Sequence, residues 1–273
     1  MTPLLISARN ASEWTGPTGN NTWLLPGREP ALVDAGVGDA EHLADIERAL
    51  GGAALRRVFI THGHSDHAGG LPALRARWPE LEVIRFLPPK GGSHESSGEG
   101  GSCESSGGAG ESFIESMWLP PLGGRFPAGN TVLQAIPTPG HAPDHLCFFD
   151  ETSRDVYCGD LARLGGTIVI PASKGGNLRE YLASLERIRA LQPKRLLPGH
   201  GPIVDDPVAL IDQYIAHREF RDRQILGAIA AGARTADEIV ERVYAGLSSS
   251  LKHAAADTVT AHLQKLKEEG RLP

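Results

Sequence analysis

Residues 61–67 contain three histidines and one aspartate within six positions: His62, His64, Asp66 and His67. Each of these side chains needs a polar partner, so a packed apolar core does not accommodate four of them side by side. Imidazole nitrogens and carboxylate oxygens are ligands that zinc and similar divalent metals accept. A surface loop could carry such residues by chance, but the density of the cluster favours a metal site.

The composition is that of a soluble globular protein, with 40% apolar and 22% charged residues in a chain of 273. No stretch approaches the ~18 apolar residues of a membrane span, and the first residues lack the pattern of a signal peptide. Three scattered cysteines argue against a disulfide framework and for a reducing compartment. We therefore expect a cytoplasmic protein without a membrane partner. The net charge of −6 gives no general attraction to nucleic acid.

Apolar, β-branched runs recur along the chain, and several are followed by segments with helical periodicity. The predicted strands are residues 22–25, 31–33, 57–60, 82–86, 131–136, 146–149, 156–158 and 195–197. The predicted helices of this part are residues 40–50, 71–77 and 178–190. Because strands precede helices repeatedly, the pattern predicts a layered α/β architecture.

Residues 88–116 break this pattern because they are rich in Gly, Ser and Glu and have no aromatic residue before Phe113. Such a segment does not bury enough apolar surface to order itself, which predicts a long mobile insertion. His94 and Cys103 lie within it without neighbouring ligand residues. A linker is therefore favoured over a ligand role for either.

The character of the sequence changes after about residue 206. Residues 210–230 are a long amphipathic helix candidate, and Thr235 with Glu238 fits the capping box that starts a helix. A last helix is predicted through residues 259–266, where apolar side chains recur at spacings of four and three. The predicted domains are a catalytic domain at residues 1–206 and a small, helical, winged-helix-like domain at residues 207–273.

Three further glycine turns carry ligand-type side chains after predicted strands, namely His141, Asp160 and His200. Strand ends form the functional rim of layered α/β folds, so seven candidates from four strand ends could converge on one edge. Seven ligands exceed the four that one zinc takes, whereas two metals that share one carboxylate fit the count. Two such metals suit hydrolysis because a bridging water becomes hydroxide, its pKa lowered from ~15.7 towards ~7.

The order His-x-His-x-Asp-His, His141, Asp160 and His200 resembles the metallo-β-lactamase fold superfamily over nearly the whole chain. The resemblance implies an αββα sandwich of α/β class with two divalent metals between its sheets. Zinc is the expected metal, although manganese and iron accept the same ligands. The implied ligands are His62, His64 and His141 for one metal, Asp66, His67 and His200 for the other, and Asp160 as the bridge. Asp66 is also implied in catalysis, as acceptor of a hydrogen bond from the nucleophilic hydroxide.

Within the superfamily, residues 20–23, 198–202 and 211–218 resemble the β-lactamase-like protein 2 group. Members of that group carry a C-terminal winged-helix domain, and one animal member is an endoribonuclease that acts on single-stranded RNA. The sequence departs from the group at residues 88–116, which lie close to the site in that fold and shape the choice of substrate.

Other polar residues are ambiguous. Asp34 either caps a turn or supports a metal ligand, and His145 either supports the site or contacts substrate. His217 is expected to be solvated or packed at the domain joint, and Cys158 to be a buried, inert thiol. Candidate substrate-binding residues follow Asp160, at Thr167, Lys174 and Asn177; of these, Lys174 either meets an anionic group of the substrate or is exposed to solvent.

These features favour a hydrolase that directs a metal-bridging hydroxide at a small ester, thioester or lactone. The alternatives are a single-strand-specific endoribonuclease, promiscuous β-lactam hydrolysis, and a binding module whose metals are structural. Residues 212–273 contain nine basic and nine acidic residues, whereas a surface that follows phosphates is normally basic. We therefore expect a small-molecule substrate, with RNA as the second candidate, and the sequence leaves a homo-oligomer open.

Overall fold

The structure is a computed structural model that describes residues 2–86 and 123–272. Within these residues, ten strands form two sheets of five. In the first sheet, spatial order follows chain order; its first three strands are antiparallel and its last three are parallel. Its strands are β1 (Leu4–Ser7), β2 (Asn21–Leu25), β3 (Ala31–Val33), β4 (Arg57–Phe59) and β5 (Glu82–Ile84).

The second sheet contains β6 (Arg125–Ala128), β7 (Thr131–Pro137), β8 (Leu146–Asp150), β9 (Asp155–Gly159) and β10 (Arg195–Pro198). Strands β6 to β9 pair antiparallel in sequence order, and β10 pairs parallel with β9. A parallel pair needs a crossover connection, here helix α4 (Leu178–Ala190). Because β9 and β10 run in the same direction, the residues that follow them leave the sheet side by side.

The two sheets pack face to face through apolar side chains, among them Phe59 of β4. Its ring lies 5.1 Å from that of Phe148 and 6.1 Å from that of Phe126, both in edge-to-face arrangements. Burying one such side chain contributes about 1.5–3 kcal/mol to stability, so this contact joins the two sheets firmly.

Helices cover both outer faces of the sandwich. Helices α1 (Ala40–Leu50) and α3 (Leu71–Arg77) pack on the first sheet, while α4 and the first half of α5 (Pro207–Ala230) pack on the second. The predicted αββα sandwich is confirmed. A one-turn helix, α2 (Ser65–Ala68), lies between β4 and α3.

The C-terminal domain is a bundle of α5, α6 (Ala236–Val243) and α7 (Ser249–Glu268) around Ile225, Ile239 and Val259. Residues 207–272, all of which the structure describes, contain helices and no strand. Helix α5 belongs to both domains, since Ile211 lies in the core beside the second sheet whereas Ile225 lies in the bundle. In the described residues, no helix is both long enough and apolar enough to cross a membrane.

Local sequence signals account for the helix ends. The Asp39 carboxylate accepts hydrogen bonds from two backbone amides at the start of α1, and Gly51 ends the helix with φ 60°. The predicted cap of α6 is confirmed because the Thr235 hydroxyl accepts from the Glu238 amide. Strands β1 and β6 and helix α2 were not predicted; each is only four residues long. The predicted mobile insertion at 88–116 lies outside the described residues.

Candidate metal centre

All seven predicted ligands lie at the same end of the sandwich, because each follows the carboxyl end of a strand. Residues 61–67 follow β4 of the first sheet and run into α2. His141 follows β7, Asp160 follows β9, and His200 follows β10, all in the second sheet. The residues therefore meet at the rim between the two sheets.

The first group of ligand atoms comes from three histidines. His64 Nδ1 lies 3.0 Å from His62 Nε2 and 3.1 Å from His141 Nε2. His141 Nδ1 donates to the Val169 carbonyl at 2.7 Å, which leaves its Nε2 lone pair facing the group. His62 Nδ1 lies 3.1 Å from Thr61 Oγ1, which likewise leaves Nε2 for the group. Three imidazole lone pairs within mutual reach are a suitable site for one divalent metal.

The second group contains Asp66, His67 and His200. Asp66 Oδ2 lies 3.6 Å from His67 Nε2 and 3.5 Å from His200 Nε2. The Asn20 amide donates to the same Asp66 oxygen at 3.1 Å and so fixes the direction of the carboxylate. Two imidazoles and a carboxylate form a second ligand set beside the first.

Asp160 lies between the two groups and presents one oxygen to each. Oδ2 is 3.5 Å from His141 Nε2, while Oδ1 is 3.4 Å from His67 Nε2 and 3.2 Å from His200 Nε2. His67 Nε2 and Asp160 Oδ1 are fully buried, and neither has a hydrogen-bond partner in the described part of the chain. Buried polar atoms without partners are costly, so these two fit atoms that coordinate a cation.

Buried polar groups contact the candidate ligands on the side away from the cavity. Asp34 accepts from His67 Nδ1 at 2.8 Å and from the Thr61 amide at 2.8 Å. His145 is 1% exposed, and its Nε2 accepts from the Asp160 amide at 3.2 Å while its Nδ1 faces the Thr138 hydroxyl. Asp34 and His145 therefore hold the candidate ligands in place. The buried state predicted for Cys158 is also observed, and burial raises the pKa of its thiol.

The electrostatics of the two groups differ. Burial lowers the pKa of His62 and lowers that of His64 to about 4, so both rings are neutral near pH 7. Burial also opposes the charge on His67 and His200, but adjacent carboxylates outweigh it and raise both pKa values, that of His200 to about 9. Burial alone would raise the pKa of Asp160, but the nearby imidazoles outweigh burial and hold this pKa well below the usual range.

A family model named Metallo-beta-lactamase superfamily matches residues 15–200. The chain belongs to this superfamily. A second model, named Beta-lactamase associated winged helix domain, matches residues 235–272, which contain α6 and α7. Metallo-β-lactamase superfamily members are metal-dependent hydrolases, and the chain is therefore an enzyme of this class.

Known proteins of the superfamily are similar over most of the chain. The Beta-lactamase-like protein 2 homolog of Drosophila melanogaster is 30% identical, over 93% of this chain and 84% of that protein. An Atrochrysone carboxyl ACP thioesterase of Aspergillus fumigatus is 29% identical, over 85% of this chain and 70% of that protein. The crystal structure of a beta-lactamase domain protein from Burkholderia ambifaria has a TM-score of 0.73 at 21% identity, covering 93% of this chain and 83% of that one. The resemblance to the β-lactamase-like protein 2 group is confirmed.

A cavity of 570 Å³ opens over five of the candidate ligands of this superfamily member, namely His64, Asp66, His141, Asp160 and His200. Thr167 and Lys174, two of the predicted substrate-binding residues, line it. Asn177 lies outside the lining that the described residues form, because its side chain caps α4 by accepting from the Glu180 amide at 3.0 Å. An asparagine directly before a helix is a common cap, which accounts for this contact, and the substrate-binding role of Asn177 stays a prediction.

Sequence reasoning missed much of the wall of this cavity. Trp14, 53% exposed, and Arg163 line it from the catalytic domain, and His253 and Asp257 line it from α7. None of these residues belongs to a ligand motif, and α7 reaches the site only through the tertiary fold. His217, predicted to be solvated or at the domain joint, lines a neighbouring cavity between α5 and residues 163–167.

Proposed function

We propose that this protein is a dinuclear metal-dependent hydrolase of a small ester, thioester or lactone. The observation that carries the proposal is the position of Asp160, whose two oxygens face two separate groups of ligand atoms. One carboxylate shared by two ligand sets is the arrangement that two adjacent cations require, since the bridge offsets their mutual repulsion.

The two sites would be held by His62, His64 and His141, by Asp66, His67 and His200, and by Asp160 between them. Two divalent metals, when bound, lower the pKa of a water towards neutrality and polarise the carbonyl oxygen of a substrate. Zinc is the metal we propose, and manganese or iron would accept the same ligands.

The protein itself supplies proton handling and orientation. Burial opposes the charge on Asp66, but the imidazoles of His200, 3.5 Å away, and of His67 outweigh burial and hold its pKa below the usual range. Asp66 is therefore an anion at neutral pH, and Asn20 fixes its direction. We assign to Asp66 the acceptance of a hydrogen bond from the attacking water, because an oriented anion beside the nucleophile suits that role.

The cavity supports an acyl substrate. Trp14, Ile168 and Pro171 provide apolar surface beside the ligands, and Arg163 and Lys174 provide two cations that could meet an anionic group. A relative named as a thioesterase supports a thioester in particular. The balanced charge of residues 212–273 gives no support to an RNA substrate.

A panel of substrates tests the reaction. The zinc-loaded protein is assayed with S-butanoyl-N-acetylcysteamine, p-nitrophenyl butanoate, a γ-lactone, nitrocefin and a single-stranded RNA. We expect the largest kcat/KM for one of the three acyl substrates, abolished by a chelator and restored by zinc. RNA cleavage without acyl turnover would contradict the proposal in favour of a nuclease, and inertness on all three acyl substrates would contradict the proposed substrate class.

Metal content tests the dinuclear centre independently of the substrate. Elemental analysis of the loaded protein should give two metals per chain, and Asp160→Ala should lose most of the second. Asp212→Ala is the matched control because Asp212 is exposed on α5 and pairs only with Arg189 among the described residues. One metal per chain in the wild-type protein would rule out the dinuclear centre.

A further inference from the structure

Residues 168–170 connect the metal centre to the C-terminal domain. The segment is irregular, with no strand or helix assigned to it, yet Ile168 and Ile170 are 4% and 0% exposed. Its middle residue, Val169, accepts from His141 Nδ1 at 2.7 Å. An irregular segment that orients a metal ligand must itself be held in place, because buried backbone groups need partners outside a strand ladder.

Two helices of the C-terminal domain supply those partners. Arg218 of α5 donates through its guanidinium to the Ile168 carbonyl. Thr258 of α7 accepts through its hydroxyl from the Ile170 amide at 3.4 Å. The residues on both sides of Val169 are thus fixed from the bundle, one through a carbonyl and the other through an amide.

Both side chains are themselves fixed by burial. Arg218 is 1% exposed, and its guanidinium lies 5.5 Å from the ring centroid of Tyr181. Thr258 is 6% exposed on the face of α7 that packs toward the catalytic domain, where Asp257 also accepts from the Ser173 hydroxyl at 2.6 Å. Neither Arg218 nor Thr258 is among the candidate metal ligands.

We infer that Arg218 and Thr258 are positioning residues for His141, so that the C-terminal domain forms part of the support of the metal centre. They act through residues 168–170: when the segment is held, the Val169 carbonyl fixes His141 with Nδ1 protonated and Nε2 facing His64. When it is loosened, the imidazole loses its orientation and its tautomer. The inference rests on His141 as a metal ligand but on no particular substrate.

Thr258 allows a nearly isosteric test. Thr258→Val removes the hydroxyl that accepts from Ile170, whereas Thr258→Ser keeps it. Thr260→Val is the control on the same helix, because the Thr260 hydroxyl bonds only to the Ala256 carbonyl among the described residues. Arg218→Met provides a second, independent perturbation if it folds.

Two measurements distinguish positioning from a merely structural role. In chelator competition, Thr258→Val should bind the first equivalent of cobalt roughly tenfold more weakly, as changes to groups that orient metal ligands do, and its visible spectrum should change. Thr258→Ser and Thr260→Val should match the wild-type protein in both. An equal loss in Thr258→Val and Thr260→Val, or a lowered melting temperature with unchanged affinity and spectrum, would overturn the inference.

A metal-free readout separates this inference from the proposed function. In ¹⁵N spectra of histidine-labelled, metal-free protein, His141 should be a single Nδ1-protonated tautomer in the wild type and in Thr258→Ser. It should become a mixture in Thr258→Val. If the wild-type protein bound one metal or hydrolysed nothing, the proposed function would fail, whereas the predicted change in the His141 tautomer would be unaffected. An unchanged His141 tautomer in Thr258→Val would overturn the inference and leave the proposed function standing.

Discussion

Asp34 accepts a hydrogen bond from His67 Nδ1 at 2.8 Å, and both side chains are almost completely buried. The carboxylate selects the ring tautomer in which Nε2 faces Asp160 and the second ligand group. Asp34 has φ 62°, a left-handed backbone conformation that favours glycine, asparagine and aspartate. Directly after β3, the aspartate therefore has two roles: it tolerates the left-handed backbone conformation, and it accepts the hydrogen bond from His67.

Asp34→Asn should weaken the second metal site while leaving the fold intact. Asparagine accepts the same backbone conformation, but it removes the charge that favours His67 as a hydrogen-bond donor. We expect metal affinity to fall about 10- to 100-fold, as is usual for a lost ligand support. Chelator competition measures this, with circular dichroism as the control for folding; an unchanged affinity would contradict a supporting role.

The two metal sites should fill in a pH-dependent order. In the metal-free protein His62 and His64 are neutral, whereas carboxylates raise the pKa of His200 to about 9 despite burial. A metal at the second site must therefore displace a proton below this pH, so its apparent affinity rises with pH. At pH 6 the first equivalent should bind tightly and the second weakly, with the difference shrinking towards pH 9.

Titration calorimetry at several pH values, in buffers of different ionisation enthalpy, measures both affinity and proton release.

The raised pKa of His200 also makes the stability of the metal-free protein depend on pH. Because the folded-state pKa of His200 exceeds its ordinary value of 6.5, its proton stabilises the metal-free fold below about pH 6.5. That contribution is lost as the pH rises through about 9. Equal affinity for the first and second metal equivalents at pH 6 would refute the predicted order in which the two sites fill.

The candidate ligands could be found in the sequence because all of them follow predicted strands, and His141, Asp160 and His200 each directly follow a glycine, which are local signals. Helices α1, α3 and α4 were predicted with their observed ends for the same reason, since capping residues and apolar periodicity are local. Asn177 was predicted to bind substrate from its place in a Gly-rich turn. In the structure its side chain accepts a hydrogen bond from the Glu180 amide and caps α4, a contact that the turn sequence alone does not indicate.

Contacts between distant segments could not be predicted. Arg218 and Ile168 are 50 residues apart, and no spacing in the sequence relates them. Arg218 is also buried, although arginine side chains are mostly exposed in folded proteins. Strands β1 and β6 were not predicted either, and they are defined by their antiparallel pairing with β2 and β7.

Asp222 should be essential to the stability of the C-terminal domain. It is 2% exposed and accepts from His262 Nδ1 at 2.6 Å and from Lys265 at 2.8 Å. Asp222→Ala leaves His262 Nδ1 without an acceptor and leaves the Lys265 ammonium with Glu269 as its remaining carboxylate, so the free energy of unfolding should fall by about 2–3 kcal/mol. Asp212→Ala on the exposed face of the same helix should cost about 1 kcal/mol or less. Urea unfolding measures both, and equal midpoints would contradict the prediction.

Gly199→Ala should disturb the second metal site through space alone. A Cβ at Gly199 would lie 2.5 Å from His67 Cε1 and 3.2 Å from Asp160 Oδ1, so the imidazole must move away from its partners. We expect the second metal to be lost and the first retained, as measured by elemental analysis after gel filtration.

Gly227→Ala is the matched control, because a Cβ there meets nothing within 4 Å. In the interior of α5 that control should raise the free energy of unfolding by about 0.5–1 kcal/mol and keep both metals. Retention of two metals in Gly199→Ala would show that His67 does not need its observed position to coordinate.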